Sequence, residues 1–293
     1  MKKFLCLAVC LSVSLASPFV RAGVEQDSKA TVVTPQPATE TVAIDLFKFQ
    51  ATYVFESDLN HGGSFGKQDE FQSSFEYGHR FHLTGNFYLH GGVAYDRYDF
   101  GSTAAPVPNH LQALAGVIGV DYMHGNDLGA FIQVRPGFYA QNDFGISSCD
   151  APITLGRVFI LQPDRLYLFV GAYASFLRSG FPVLPLAGVV WIPNDHFRIM
   201  GILPNPKMIY SPNKNLDLYL GAELAGGSFR TDRNSNIRPG KLNGTQVDFS
   251  DYRAGVGVAY NLNNHVTFDL GAGYSIQRQF HFGRAGETYR TDP

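Results

Sequence analysis

The residues whose types could do chemistry are thinly spread, and their spacing decides what each can do. Gly62-Gly63-Ser64-Phe65-Gly66 spells G-x-S-x-G, the letters of a nucleophile elbow, in which a buried strand and a following helix present a serine to substrate. Both flanks here alternate like strands, so the glycines read as part of a flexible outer loop. His79 and His82 lie three apart; on a strand that spacing sends them to opposite faces, and they cannot share a metal. Gly255-x-Gly257 and Gly271-x-Gly273 lack the helix that must follow a dinucleotide-binding turn; small residues there relieve crowding between strands. A catalytic cysteine needs a base to activate it, whereas Cys149, in Ser147-Ser148-Cys149-Asp150, stands beside an acid and reads as an incidental loop thiol. Membrane-barrel lipases use a Ser–His pair with a third polar partner, and barrel proteases use acids with His. No such cluster gathers at one end of adjacent strands, and Trp191 is the one tryptophan. No catalytic residue, metal or cofactor is expected.

A second set of polar residues falls on a regular pattern. Lys48, Glu76, Arg80, Asp96, Asp121, Gln133, Arg135, Glu223, Arg253 and Asp269 all take the polar phase of a two-residue alternation. In 71–82, Phe71, Phe75, Tyr77 and Phe81 share one face, while Gln72, Ser74, Glu76 and Arg80 share the other. In 266–277, Phe268, Leu270, Ala272 and Tyr274 oppose Asp269, Ser275 and Gln277, and in 251–260 Val256 and Val258 oppose Asp251 and Arg253. Side chains alternate across a strand, so each run has one apolar face and one polar face. These runs of 10 to 14 residues are about twice the usual soluble strand, and crossing a bilayer takes about 9–11 tilted residues. A strand facing lipid cannot leave backbone groups unpaired, so its sheet must close into a barrel. The ten polar residues then line a lumen. Either they border a water-filled pore and select among solutes, or acids and bases pair across a narrow lumen and fill it. Segments 153–161 and 167–176 are apolar on both faces, which suggests a filled lumen or a path for an apolar ligand.

Composition agrees with hidden apolar faces. Charged residues are 16% of the 293, against about 25% in soluble domains, and aromatics reach 14%. Yet mean hydropathy is only −0.07. The net charge of −2 gives no reason to expect nucleic acid. A secreted β-sandwich also alternates, but its strands are shorter and small ones are commonly stapled by disulfides.

The N-terminus assigns the compartment. Lys2 and Lys3 precede an apolar run, 4–15, too short to span a bilayer, and Val20-Arg21-Ala22 offers small residues at the −3 and −1 positions of a cut before Gly23. Residues 1–22 thus read as a cleaved secretory signal. A lipoprotein signal at Leu7-Ala8-Val9-Cys10 would leave almost no apolar run before its cysteine. Removing 1–22 leaves Cys149 alone, unable to close an intramolecular disulfide. Residues 23–41, polar, Pro-containing and aperiodic, read as a disordered periplasmic spacer, and 42–293 as an outer-membrane barrel. Outer-membrane lipid and, during biogenesis, the barrel-assembly machinery are the expected partners.

Connections alternate in length. Tight joints fall at 84–86, 124–127, 162–164, 194–195, 213–215 and 262–264, and longer ones at 56–68, 100–110, 140–152, 178–183 and 231–246. Periplasmic turns and outer loops differ in this way. Segment 182–227 carries Trp191-x-Pro193, Leu203-Pro204-x-Pro206 and Leu218-Tyr219-Leu220-Gly221-Ala222-Glu223. That succession resembles an uncharacterised family of bacterial outer-membrane β-barrels defined only as a domain of unknown function. The resemblance implies fold and location and no activity. Such barrels usually finish on an aromatic residue, whereas this chain ends Arg290-Thr291-Asp292-Pro293.

The expected fold is all-β, an antiparallel transmembrane barrel of 12–14 strands. If Leu203-Pro204-Asn205-Pro206 is a turn, thirteen strands are counted, although single-chain bacterial barrels have even numbers. A bulge there would give twelve. A closing strand beyond Pro293 would give fourteen, with 283–293 the start of an outer loop and strands 42–55 and 265–282 unpaired or parallel at the seam. This second solution is the one we expect. The function expected is a pore or transporter for small solutes, or a structural membrane component, without open general diffusion; the alternative is a barrel enzyme acting on lipid or peptide.

Overall fold

The computed structural model describes residues 7–15, 45–124, 127–235, 237–262 and 266–291. Its strands are β1 (Leu7–Leu15), β2 (Asp45–Asn60), β3 (Ser64–Thr84), β4 (Phe87–Phe100), β5 (His110–His124), β6 (Asp127–Val134), β7 (Gly137–Ala140), β8 (Cys149–Asp150) and β9 (Ile153–Gln162). There follow β10 (Leu166–Ala174), β11 (Val183–Asn194), β12 (Phe197–Ile202), β13 (Lys207–Asn213), β14 (Leu216–Arg230), β15 (Gln246–Asn261), β16 (Thr267–Phe282) and β17 (Glu287–Thr291). All seventeen join one sheet that closes on itself. β6 and β7 form a single wall position broken at Arg135-Pro136, since both pair with β5. β8 and β9 likewise share a position, as do β1 and β17. The barrel therefore has fourteen positions.

The alternation is realised as expected over most of the wall. Val256, Val258, Phe268 and Leu270 are exposed on the outer face, whereas Arg253 is buried inside. Leu270→Arg, on the lipid face, should cost about 2–4 kcal/mol, read as a loss in urea unfolding of the refolded barrel. Asp269→Leu on the lumen side should not reproduce that loss.

Three expectations are corrected. Gln277 does not enter the lumen: a β-bulge between Tyr252 and Arg253 shifts the β15–β16 register, so Gln277 lies opposite the outward Tyr252 and Arg278 turns inward. A bulge adds one residue to one strand and reverses the phase beyond it. The supposed long loop at 56–68 is instead strand up to Asn60 and again from Ser64, with a tight turn at 61–63. Residues 283–291 do not begin a long loop either; 283–286 turn and β17 runs back along β16.

The Pro204–Pro206 region is a turn between two short strands, β12 and β13, so thirteen positions run from β2 to β16. β2 and β16 do not pair with each other. Each is antiparallel to what lies between them, and they are therefore parallel to one another. The outer part of that fourteenth position is β17, with Thr291 opposite Leu59. The inner part is β1, with Leu7 opposite Tyr274 on β16 and Ala8 opposite Val54 on β2. Leu7–Leu15 belongs to the segment expected to leave as a signal; the cut before Gly23 and the spacer 23–41 lie outside the described residues.

Candidate functional site: a capped lumen

The outer half of the barrel is narrower than the inner half. At its top β14 leaves the β13 side and meets β7, where Arg230 pairs with Ala140 and the Gln141 amide donates to the Arg230 carbonyl at 2.9 Å. Nine strands, β2–β5, β7 and β14–β17, thus form a smaller ring at that level. Its inward residues are large and apolar: Tyr98 and Phe100 on β4, Phe229 on β14, Phe249 on β15, Phe280 and Phe282 on β16. Val107 and Leu242 fold in from the 101–109 and 231–245 loops. The ring centroids of Phe100, Phe249 and Phe280 are mutually 4.9–5.1 Å apart, the spacing of packed aromatic pairs. This cluster plugs the outer mouth.

Beneath the plug lies a layer of charge buried from solvent. Arg253 donates from Nε to Asp251 at 2.6 Å, from Nη1 to Gln72 at 2.7 Å and from Nη2 to Glu70 at 2.7 Å. The second oxygen of Glu70 lies 2.9 Å from Nε of Arg278, and Ser275 donates to Asp251. Glu70, Asp251 and Arg278 are each 0% exposed. Two acids and two bases cancel; Arg253 is held from β15 and β3, and Arg278 from β3 through Glu70 and the Gln68 carbonyl at 3.3 Å. Such a set is tolerable in a low-dielectric interior only because each charge is paired and hydrogen-bonded.

Below the charge layer, and against the wall of β2–β4, is a cavity of about 260 Å³. Lys48, Glu76, Asp96, Arg135 and Glu223 line it, with Gln50, Gln72 and Ser74. Arg135 holds Glu76 at 2.7 Å. Five of the ten sequence-derived lumen residues are thus brought to one chamber. Arg253 belongs to the charge layer above it. Arg80 and Asp121 form a separate pair at 2.7 Å, with His90 at 3.2 Å from the same carboxylate. Asp269 accepts from the Tyr219 hydroxyl at 2.5 Å on another part of the wall. Gln133 shares the inward face of β6 with Phe131, whose ring stacks on Phe169 of β10 at 6.1 Å. Phe169, within 167–176, thus adds a buried apolar ring to the inward face of β10. A larger concavity of about 640 Å³ lies on the lipid side, among Met208, Leu220, Val256 and Leu270, and no charged residue among those described lines it.

Sequence reasoning missed Glu70 and Arg278, and left Asp251 out of the lumen set although it placed it on the polar face. Glu70 lies just past a stretch taken for loop, and Arg278 is turned inward by the bulge. Asp251 was legible, since it shares the face of Arg253. Asp150 was missed too: it is buried and accepts from the Ser175 hydroxyl at 2.6 Å and from the amides of Phe176 and Leu177, anchoring the loop after β10. Ser64 opens β3 and no helix follows it, so the G-x-S-x-G letters have no elbow.

No family model matches the chain, and no curated protein does; the family suggested by 182–227 is therefore not shown. Among solved structures, the chain is similar to the toluene transporter TbuX of Ralstonia pickettii, with 10% identity and a TM-score of 0.31 over 100% of this chain and 90% of that one. The chain is an all-β, closed, fourteen-position antiparallel barrel.

Proposed function

We propose that this chain is exported to the bacterial outer membrane and works there as a transporter for a small solute held in the polar chamber, rather than as an open general-diffusion pore. One observation carries the reading: ionisable side chains surround a cavity of about 260 Å³ directly below an outer mouth filled with phenylalanines. A water-filled pore would keep its mouth open, and a purely structural barrel would not need a chamber able to orient a charged solute. The chamber carries three acids and two bases, which favours a cationic or zwitterionic guest. In proteoliposomes, we expect slow, saturable flux of small amino-bearing solutes, reduced at least several-fold in Glu223→Gln. Large flux with no preference among small solutes would overturn the proposal. Flux no greater than that of empty liposomes would leave the structural-component reading in its place.

A further inference from the structure

The wall of the barrel has a break in its ladder. β11 pairs with β10 from Val183 to Trp191, but with β12 only from Gly188 downward. β14 pairs with β13 only up to Gly221. The turn after β12 extends that edge slightly, because the carbonyls of Pro206 and Pro204 accept from the amides of Ala222 and Leu224. Above this the β12–β13 hairpin stops short. Among the described residues no ladder joins 183–187 of β11 to 225–229 of β14.

Backbone edges in hydrocarbon are not tolerated unless they line a cavity that can solvate them. A cavity is present. Ala225 and Gly226 stand on the open edge of β14 and, with Leu224, line the polar chamber. The sequence suits an edge: Pro185 has no amide to leave unpaired, and Gly226 adopts φ +131, a conformation open to glycine, where β14 begins to bend inward. Above the break, the 175–182 loop is pinned over the outer face of β15. Its Ser179 donates from the amide at 3.2 Å and the hydroxyl at 2.5 Å to Asp248, which also accepts from Ser228 of β14 at 2.6 Å. The axial exit is plugged, whereas at the level of the chamber no ladder among the described residues closes the wall between β11 and β14.

Resting on the transporter reading, we propose that the break between β11 and β14 is a lateral portal joining the chamber to the outer leaflet. Its guest is a single-chain amphiphile with an ammonium head. The head would sit among Lys48, Glu76, Asp96, Arg135 and Glu223, whose formal charge is two bases minus three acids, or −1. The tail would leave through the portal past Val183, Pro185 and Ala187, whose outward side chains are exposed.

Single cysteines in a background with Cys6, Cys10 and Cys149 changed to Ser test this in lipid vesicles, each variant first shown to run as a folded, heat-modifiable barrel. Ala225→Cys is the portal position. Ala113→Cys, buried in the lumen on the fully paired β5, is the control. N-dodecylmaleimide dissolved in the membrane should label Ala225→Cys at least 10-fold faster than Ala113→Cys. Decylammonium should slow that labelling several-fold, and decyl sulfate should not. Equal rates at the two positions would overturn the portal, and equal protection by the two surfactants would overturn the ammonium head. A small water-soluble thiosulfonate tested on Ala94→Cys, a chamber position, separates the failures. Labelling there without labelling at 225 leaves the chamber intact and removes only the portal. Labelling at neither removes the solute chamber as well.

Discussion

Replacing Glu70 with Ala lowers the stability of the barrel by about 3–5 kcal/mol, as expected when one partner of a buried charge set is removed. Glu70 is 0% exposed and bridges Arg253 and Arg278 at 2.7 and 2.9 Å. Without it, two guanidiniums are left with the single carboxylate of Asp251 in a region closed to bulk solvent, and the excess charge stays buried. The rim gives the contrast. Lys241 and Glu287 are as close, at 2.6 Å, but the lysine is 51% exposed. Removing that pair with Glu287→Gln should cost only about 0–1 kcal/mol. Urea unfolding of refolded protein in micelles measures both. Equal losses for the two variants would mean that the charge layer is hydrated rather than dry.

The second large effect concerns the plug. Phe280 is 0% exposed and touches both Phe100 and Phe249. Truncating a buried Phe to Ala costs about 3–5 kcal/mol, part of it for the cavity left behind. Here the loss has a functional side. The space opens onto the outer mouth on one side and the charge layer on the other, so Phe249→Ala with Phe280→Ala leaves a gap that water can enter. We expect the double variant to be less stable and, in addition, to pass ions that the parent does not. Destabilisation without any ion passage would place the seal in the Arg253–Glu70 layer rather than in the aromatics.

Much of this was legible in the chain because a lipid-facing sheet leaves few choices. Phe268, Leu270, Val256 and Val258 announce the outer face, and the tight joints at 84–86 and 213–215 fall where strands reverse. Lys48, Glu76, Asp96, Arg135 and Glu223 were picked out by phase alone and converge on one chamber. What escaped was whatever breaks phase or acts at a distance. The bulge at Tyr252 moved Gln277 out and Arg278 in, and nothing local in Ser275-Ile276-Gln277 signals an extra residue. The pinch that brings Arg230 against Ala140 depends on two segments ninety positions apart, and it alone turns a wide barrel into a plugged one. The short β12–β13 hairpin was half legible, since Pro204 and Pro206 marked the turn but not how far the neighbouring strands outrun it.

The central claim is that the outer mouth is sealed above an ionisable chamber, and single-channel recording in a planar bilayer tests it most directly. The refolded parent should show no large, steady conductance, only brief small events, while Phe249→Ala/Phe280→Ala should open a persistent ion-conducting state. A large and stable conductance in the parent, unchanged in the double variant, would contradict the account.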